Sequence, residues 1–341
     1  LARTLVLSLA GAAWSLGEDI GEACRHAPQV ADVSSMLQMQ ASAHGPAADT
    51  GHSAPHEVAA SIGQRRTARG PPGGGPELDM QLLLDDHSST CHTMYLTNWF
   101  TTRKDPQGKR KETDITYISR YIRSIMSLPS GRASAHILYD DIPDELIRNY
   151  STGDGAVTFE KVDISKIDPL MGLNDLRYLL FEEQVKRHPE WDTIFMTDIR
   201  DVLAIHNPCT FVGRNPDKLY VGSQTNNMKP WKWMIRQFYM AGGKYLDWYM
   251  AQPDDAFIEL NAGIIGGKRP MILKVLGKIN EMLMDPDLGG RKNKTNVTVN
   301  MAAVNWACYG GFGKERVVTG PPLHSLYKYF ENRTDVYFWH K

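Results

Sequence analysis

The stretch Trp191–Cys209, WDTIFMTDIRDVLAIHNPC, begins as a buried strand and ends as a turn, with two aspartates and an arginine where the two meet. Ile194, Phe195 and Met196 form a short apolar run flanked by turn formers, the pattern of a strand covered on both faces. Asp198 and Asp201 then fall at its carboxyl end. In open α/β sheets, ligands bind in the crevice beyond the carboxyl ends of the strands, so the pair marks a candidate site.

The segments around it supply the rest of such a sheet. HTMYLTNWF (92–100) is β-rich, and DITYISRYIRSIMSL (114–128) carries Ile115, Ile118, Ile122, Ile125 and Met126 at helical spacing. ASAHILYDD (133–141) is a short strand ending in acids; AVTFEKVDI (156–164) reads as strand and GLNDLRYLLFEEQVKRHP (172–189) as helix. DKLYVGSQ (217–224) adds a strand, and LNAGIIGGKRPMILKVLGKINEMLMDP (260–286) reads as strand, glycine turn and amphipathic helix. Strands alternating with helices imply parallel pairing through helical crossovers, an α/β class with helices on both faces of a mixed, mostly parallel sheet. No repeat of fixed period appears, which argues against solenoids and propellers.

At 341 residues and 42% hydrophobic, the chain can bury one large core or two modest ones. A formal net charge of -1 gives no global attraction to nucleic acid or anionic membrane, so an anionic ligand must be held locally. Residues 1–17 combine an arginine, an apolar run and small residues, as a signal peptide or a truncated signal anchor would; membrane association is expected only in the second case. Residues 18–88, rich in Ala, Gly, Pro, Ser and His, read as a disordered stem. Residues 89–341 have ordinary globular composition and form a single expected domain. Cys24, Cys91, Cys209 and Cys308 are too widely spread for a CxxC metal site; one or two disulfides are expected, with Cys209–Cys308 as a candidate pair. N-x-[ST] sequons begin at Asn149, Asn293, Asn296 and Asn332, which favours the secretory pathway, in the ER or Golgi lumen or outside the cell.

Asp198 and Asp201 are spaced i, i+3. On a turn they converge, and convergent carboxylates suit a hard divalent ion such as Mn²⁺ or Mg²⁺. Equally, Asp198 would cap a helix that begins at Ile199, with Asp201 in its first turn. Arg200 neutralises the pair or faces an anionic substrate. NAGIIGG (261–267) matches no phosphate-binding glycine loop, and reads as a close backbone approach to a ligand or a packing turn. PWKWMIRQFYMAGGKYLDWYM (230–250) concentrates Trp231, Trp233, Phe238, Tyr239, Trp248 and Tyr249, as a sugar-stacking platform or a helical core would.

Taken in order, LRYLLFEEQVKRHPEWDTIFMTDIRDVLAIHNP, LNAGIIGG, VNMAAVNWACY and the terminal FWHK resemble the nucleotide-diphospho-sugar transferases of GT-A fold, over about residues 91–341. The resemblance implies a metal-dependent glycosyltransferase that moves a sugar from a UDP- or GDP-sugar to a hydroxyl of a glycan or glycoprotein. It implies Asp198 and Asp201 as the acidic pair holding Mn²⁺ or Mg²⁺, with His340 as third ligand. Asn261, Gly263, Gly266 and Gly267 would wall the sugar pocket, Arg177 would face the nucleotide, and Thr97 and Asn98 would approach base and ribose. Arg200 or Lys341 would neutralise the leaving diphosphate, where negative charge develops in the transition state. An inverting enzyme also needs a base near the acceptor hydroxyl, for which Asp254, Asp255 and Glu259 are candidates, Asp255 foremost. The motif here is DIRD rather than DxD, and Asn300 stands where many relatives carry an aspartate. A non-catalytic sugar- or nucleotide-binding relative of the same fold is the alternative reading. A two-metal phosphoesterase would show a denser His/Asp set.

Overall fold

The computed structural model describes residues 91–103, 115–229, 231–289, 298–327 and 333–340. The expectations for residues 1–17 and 18–88, and for Lys341, lie outside them.

The first strand, β1 (Thr93–Trp99), pairs in parallel with β2 (Ala133–Tyr139) on one side and β4 (Thr193–Thr197) on the other; β2 pairs in parallel with β3 (Val157–Lys161). A reversed strand, β7 (Ile258–Lys268), lies between β4 and β6 (Leu219–Asn227), and β8 (Val317–Val318) closes the far edge beside β6. The order is β3-β2-β1-β4-β7-β6-β8, a mixed and mostly parallel seven-stranded sheet. A separate two-stranded ribbon joins β5 (Val202–Ala204) to β9 (Phe338–His340).

Helices cover both faces. α1 (Ile115–Met126) turns Ile118, Ile122 and Ile125 into a core with Tyr95, Phe195 and Phe338, while Met126 stays exposed. α2 (Asp144–Tyr150) links β2 to β3 and buries no residue. On the other face lie α3 (Leu173–Arg187) and α7 (Arg269–Leu283), which pack together, with α5 (Lys232–Ala241), α6 (Gly243–Ala251) and α8 (Asn300–Asn305); α4 (Cys209–Arg214) is short. Among the described residues, no helix is long and apolar enough to cross a membrane.

Two sequence expectations change. The pair Gly266–Gly267 is not a turn: β7 runs through it, because Gly266 passes directly over Phe195, where a Cβ would stand 2.1 Å from the ring. Cys209 bridges Cys91, not Cys308. Cys308 is buried and free in the π-helical continuation of α8 (Trp306–Phe312), on the α3 face of the sheet.

Candidate functional site

Because β2 lies on one side of β1 and β4 on the other, the chain direction across the sheet switches at β1/β4, which is where open α/β sheets place a ligand crevice. A cavity of about 570 Å³ occupies it. Asn98, Trp99, Phe100 and Arg103 line it from the end of β1, Asp198 to Asp201 from the end of β4, and Asn261 and Ala262 from β7. β7 supplies them because it runs backwards: Thr197, the last residue of β4, pairs with Ile264, so the earlier residues of β7 project beyond β4 into the crevice.

The segment after β4 is a turn into β5, not a helix, so Asp198 caps nothing. Its carbonyl accepts from Val202 N (3.2 Å) and its own N–H donates to the Gly263 carbonyl (2.9 Å). Val202 pairs with His340, which carries the imidazole into the same cavity. A Cβ placed on Gly263 would lie 2.8 Å from His340 Nε2, 3.0 Å from Asn261 Oδ1 and 3.2 Å from Asp198 Oδ2. Only glycine leaves this space open, and three donor atoms surround it.

Burial, reinforced by neighbouring His324, pushes His340 down to about 3, so its ring is the neutral form a metal requires. Its Nδ1 is buried without a hydrogen-bond partner. His324 is itself fully satisfied: Nε2 accepts from Ser223 N (3.0 Å) and Gly320 N (3.1 Å), and Nδ1 donates to the Ser325 carbonyl (2.7 Å). Burial pushes Tyr327, which leans on His340 and lines the cavity, up to about 12, helped by repulsion from Asp201, Asp198 and Glu259, so it stays a neutral phenol.

Arg177 comes from the first turns of α3 and is buried. Its Nη1 pairs with Asp198 Oδ1, while Nη2 donates to the Ala262 carbonyl (3.1 Å) and to Tyr178 Oη (3.1 Å). Burial works against its charge, yet the carboxylate more than offsets this and raises its pKa. The residue expected to face a nucleotide thus lines the cavity but is engaged with the aspartate. Asn300 lines the same wall with a buried, unpartnered Oδ1. It is held there because Asn305, one turn on, grips Leu260 of β7 through both backbone groups (2.9 and 3.0 Å).

Several expected residues stand elsewhere. Thr97 is fully buried on the α1 side, its hydroxyl donating to the Thr197 carbonyl (2.7 Å); strand alternation sends only Asn98 to the crevice. Gly266 and Gly267 pair with Phe195 and Ile194, in the body of the sheet away from the cavity, so they are packing residues rather than pocket wall. Asp255 sits exposed on the turn before β7 and does not line the cavity. Asp201 does line it; among the described residues no three His, Cys, Asp or Glu side chains form a group that could hold a metal by themselves. Of the aromatic cluster, Trp231 and Trp233 line the cavity, Phe238 and Tyr249 are core, and Tyr239 is exposed.

Tyr327, Gln224, Arg103 and Met301 also line the cavity and are not among the site residues expected from sequence, although Met301 lies within VNMAAVNWACY and Gln224 ends DKLYVGSQ. Arg103 carries a weaker signal, its place just past the first strand. Its guanidinium donates to the carbonyls of Ile164 (2.5 Å), Ile167 (2.7 Å) and Asp168 (3.2 Å). The Asp140 carboxylate accepts from Thr101 N (2.8 Å) and Thr102 N (2.9 Å) and so shapes the loop that carries it.

Neither protein-family models nor curated proteins give a match to this chain.

Proposed function

We propose that the chain is a metal-dependent glycosyltransferase of GT-A type, transferring a sugar from a nucleotide-diphosphate sugar to an acceptor hydroxyl. The observation that carries this reading is the opening above Gly263, ringed by Asp198 Oδ2, His340 Nε2 and Asn261 Oδ1. One carboxylate, one neutral imidazole and one amide oxygen suit Mn²⁺ or Mg²⁺, ions that commonly complete their shell with water and substrate phosphate rather than with an all-protein cage. Such an ion, when bound, supplies Lewis-acid stabilisation of a leaving diphosphate.

The remaining roles fall to the chain's own groups. Arg177 fixes Asp198 through Oδ1 and turns Oδ2 to the opening. Arg200 lines the cavity beside it and adds positive charge where a diphosphate would collect negative charge. Trp231 and Trp233 offer flat apolar faces to a sugar ring. Asn300 Oδ1 accepts a hydrogen bond from a substrate hydroxyl, which satisfies an atom otherwise left costly in the wall. Asp201, which lines the cavity, would contact a ribose or an acceptor hydroxyl.

Titration of the full chain with a panel of UDP- and GDP-sugars, with and without Mn²⁺, tests the reading. Metal-dependent binding of one nucleotide, abolished in Asp198→Asn and His340→Ala, is expected. Binding that ignores metal, or no binding by a folded protein, rejects it.

A further inference from the structure

We propose that Asn149 is a site of N-linked glycosylation. Of the sequon asparagines it alone lies among the described residues, and it is exposed in the last turn of α2. Among the described residues its side chain has no hydrogen-bond partner that would hold the amide back. Ser151, the hydroxyl residue of the sequon, is also exposed and leaves the helix directly in extended conformation (φ -69°, ψ 134°).

The helix around it is short and only half-anchored. α2 has seven residues, buries none of them, and has no side-chain hydrogen bond at its N-cap Pro143. Helices this short are marginal on their own, and α2 is held by the partly buried Leu146, Ile147 and Tyr150, which rest against the core under α1, so fraying of its last turn into an extended acceptor strand has only the half-buried Tyr150 to release. The turn that follows is held separately, by Thr152 Oγ1 accepting from Val157 N (2.9 Å) and Thr152 N donating to the Val157 carbonyl (3.3 Å), so local opening of α2 need not disturb β3.

An independent observation concerns where the protein folds. The Cys91–Cys209 disulfide closes a separation of 118 residues, and disulfides of this kind form in oxidising compartments, the setting in which exposed N-x-[ST] sequons meet the glycosylation machinery. In the reaction, the Asn149 amide nitrogen attacks the anomeric carbon of an oligosaccharide carried on a lipid diphosphate. The N–C bond forms as the C–O bond to the diphosphate breaks, the lipid diphosphate leaves, and one amide proton passes to a base of the cell's oligosaccharide transferase.

Position gives the modification a purpose. α2 leads into β3, which among the described residues is an edge strand of the sheet, two strand spacings (about 10 Å) from β1. A bulky hydrophilic group near that edge hinders strand addition to β3 and stands away from the strands that line the cavity. The proposal is independent of the transferase reading.

The test is secretion of the full chain from a eukaryotic host, enzymatic glycan release in heavy-oxygen water, and mass spectrometry of the tryptic peptide 149–161. A heavy-oxygen aspartate at position 149 is expected, lost in Asn149→Gln and Ser151→Ala and kept in Ser151→Thr. The Asn149→Gln variant is expected to keep its cavity intact and to aggregate sooner. An unmodified peptide from folded, disulfide-bonded protein overturns the proposal, as does a bare Asn149 in protein whose Cys91 and Cys209 are free thiols, or glycan confined to other sequons.

Discussion

Arg177 and Asp198 form an ion pair that divides the carboxylate in two: Oδ1 belongs to the guanidinium, Oδ2 to the opening shared with His340. The arginine side chain is 6% exposed and the aspartate 31%, so the pair is desolvated mostly from the arginine side. Removing one partner of a buried pair strands the other, at a cost of about 3 kcal/mol here, near the lower end for such pairs because the cavity still hydrates Asp198. Urea denaturation of Arg177→Met is expected to show that loss, with the Arg177→Met/Asp198→Asn double variant losing less than the sum. Strict additivity would mean the two residues do not couple.

Two glycines of β7 separate the site from the packing. Gly263→Ala puts a methyl among three donor atoms at 2.8 to 3.2 Å and forces the buried His340 ring to shift, so metal binding is expected to be lost at a stability cost smaller than that of Gly266→Ala. Gly266→Ala drives a methyl against the Phe195 ring, and is expected to cost about 3 kcal/mol or more through overpacking. Thermal melts and Mn²⁺ titration of both variants check the contrast; retained metal affinity in Gly263→Ala counts against the donor set.

Reducing the Cys91–Cys209 bridge, or replacing both cysteines with serine, frees a 118-residue separation and is expected to cost about 3 kcal/mol. Cys308 belongs to the core, and burial pushes its thiol up to about 12, so it is expected to resist thiol reagents until the protein unfolds. Rapid labelling of native protein at Cys308 contradicts this placement.

His136 sits 8% exposed on β2, with Glu160 at 3.2 Å, Thr158 at 2.8 Å, and Arg187 and His188 nearby. Burial lowers its pKa, and Glu160 opposes the shift without cancelling it. The folded value therefore lies below the unfolded value of about 6.5, so the unfolded chain takes up a proton first as pH falls. Stability from this site is present above about pH 6.5 and is lost as pH drops below it, at no more than about 1.4 kcal/mol per pH unit. Denaturation midpoints of wild type and His136→Gln between neutral and mildly acidic pH are expected to converge.

The alternation of strands and helices was legible because periods of 2 and 3.6 are local properties. The acidic turn and Asn261 were legible because they sit where a strand ends. Face and partner were not. Thr97 and Asn98 are adjacent, and which of them reaches the crevice depends on which helices cover which side of β1. The glycine pair looked like a turn because the Phe195 ring above Gly266 comes from a strand 71 positions earlier. Tyr327 and Met301 reach the cavity only through long-range packing, and Cys209 finds Cys91 because β1 and α4 start side by side.

His340 rides on a three-residue strand whose neighbour in the ribbon is β5, itself three residues long. Yet Phe338, two residues before His340, packs with Tyr95 and Phe195 in the core under α1. The anchor of the imidazole is thus an aromatic plug. A refolding chain should regain native fluorescence and any affinity for Mn²⁺ in the same step, and Phe338→Ala should weaken both together.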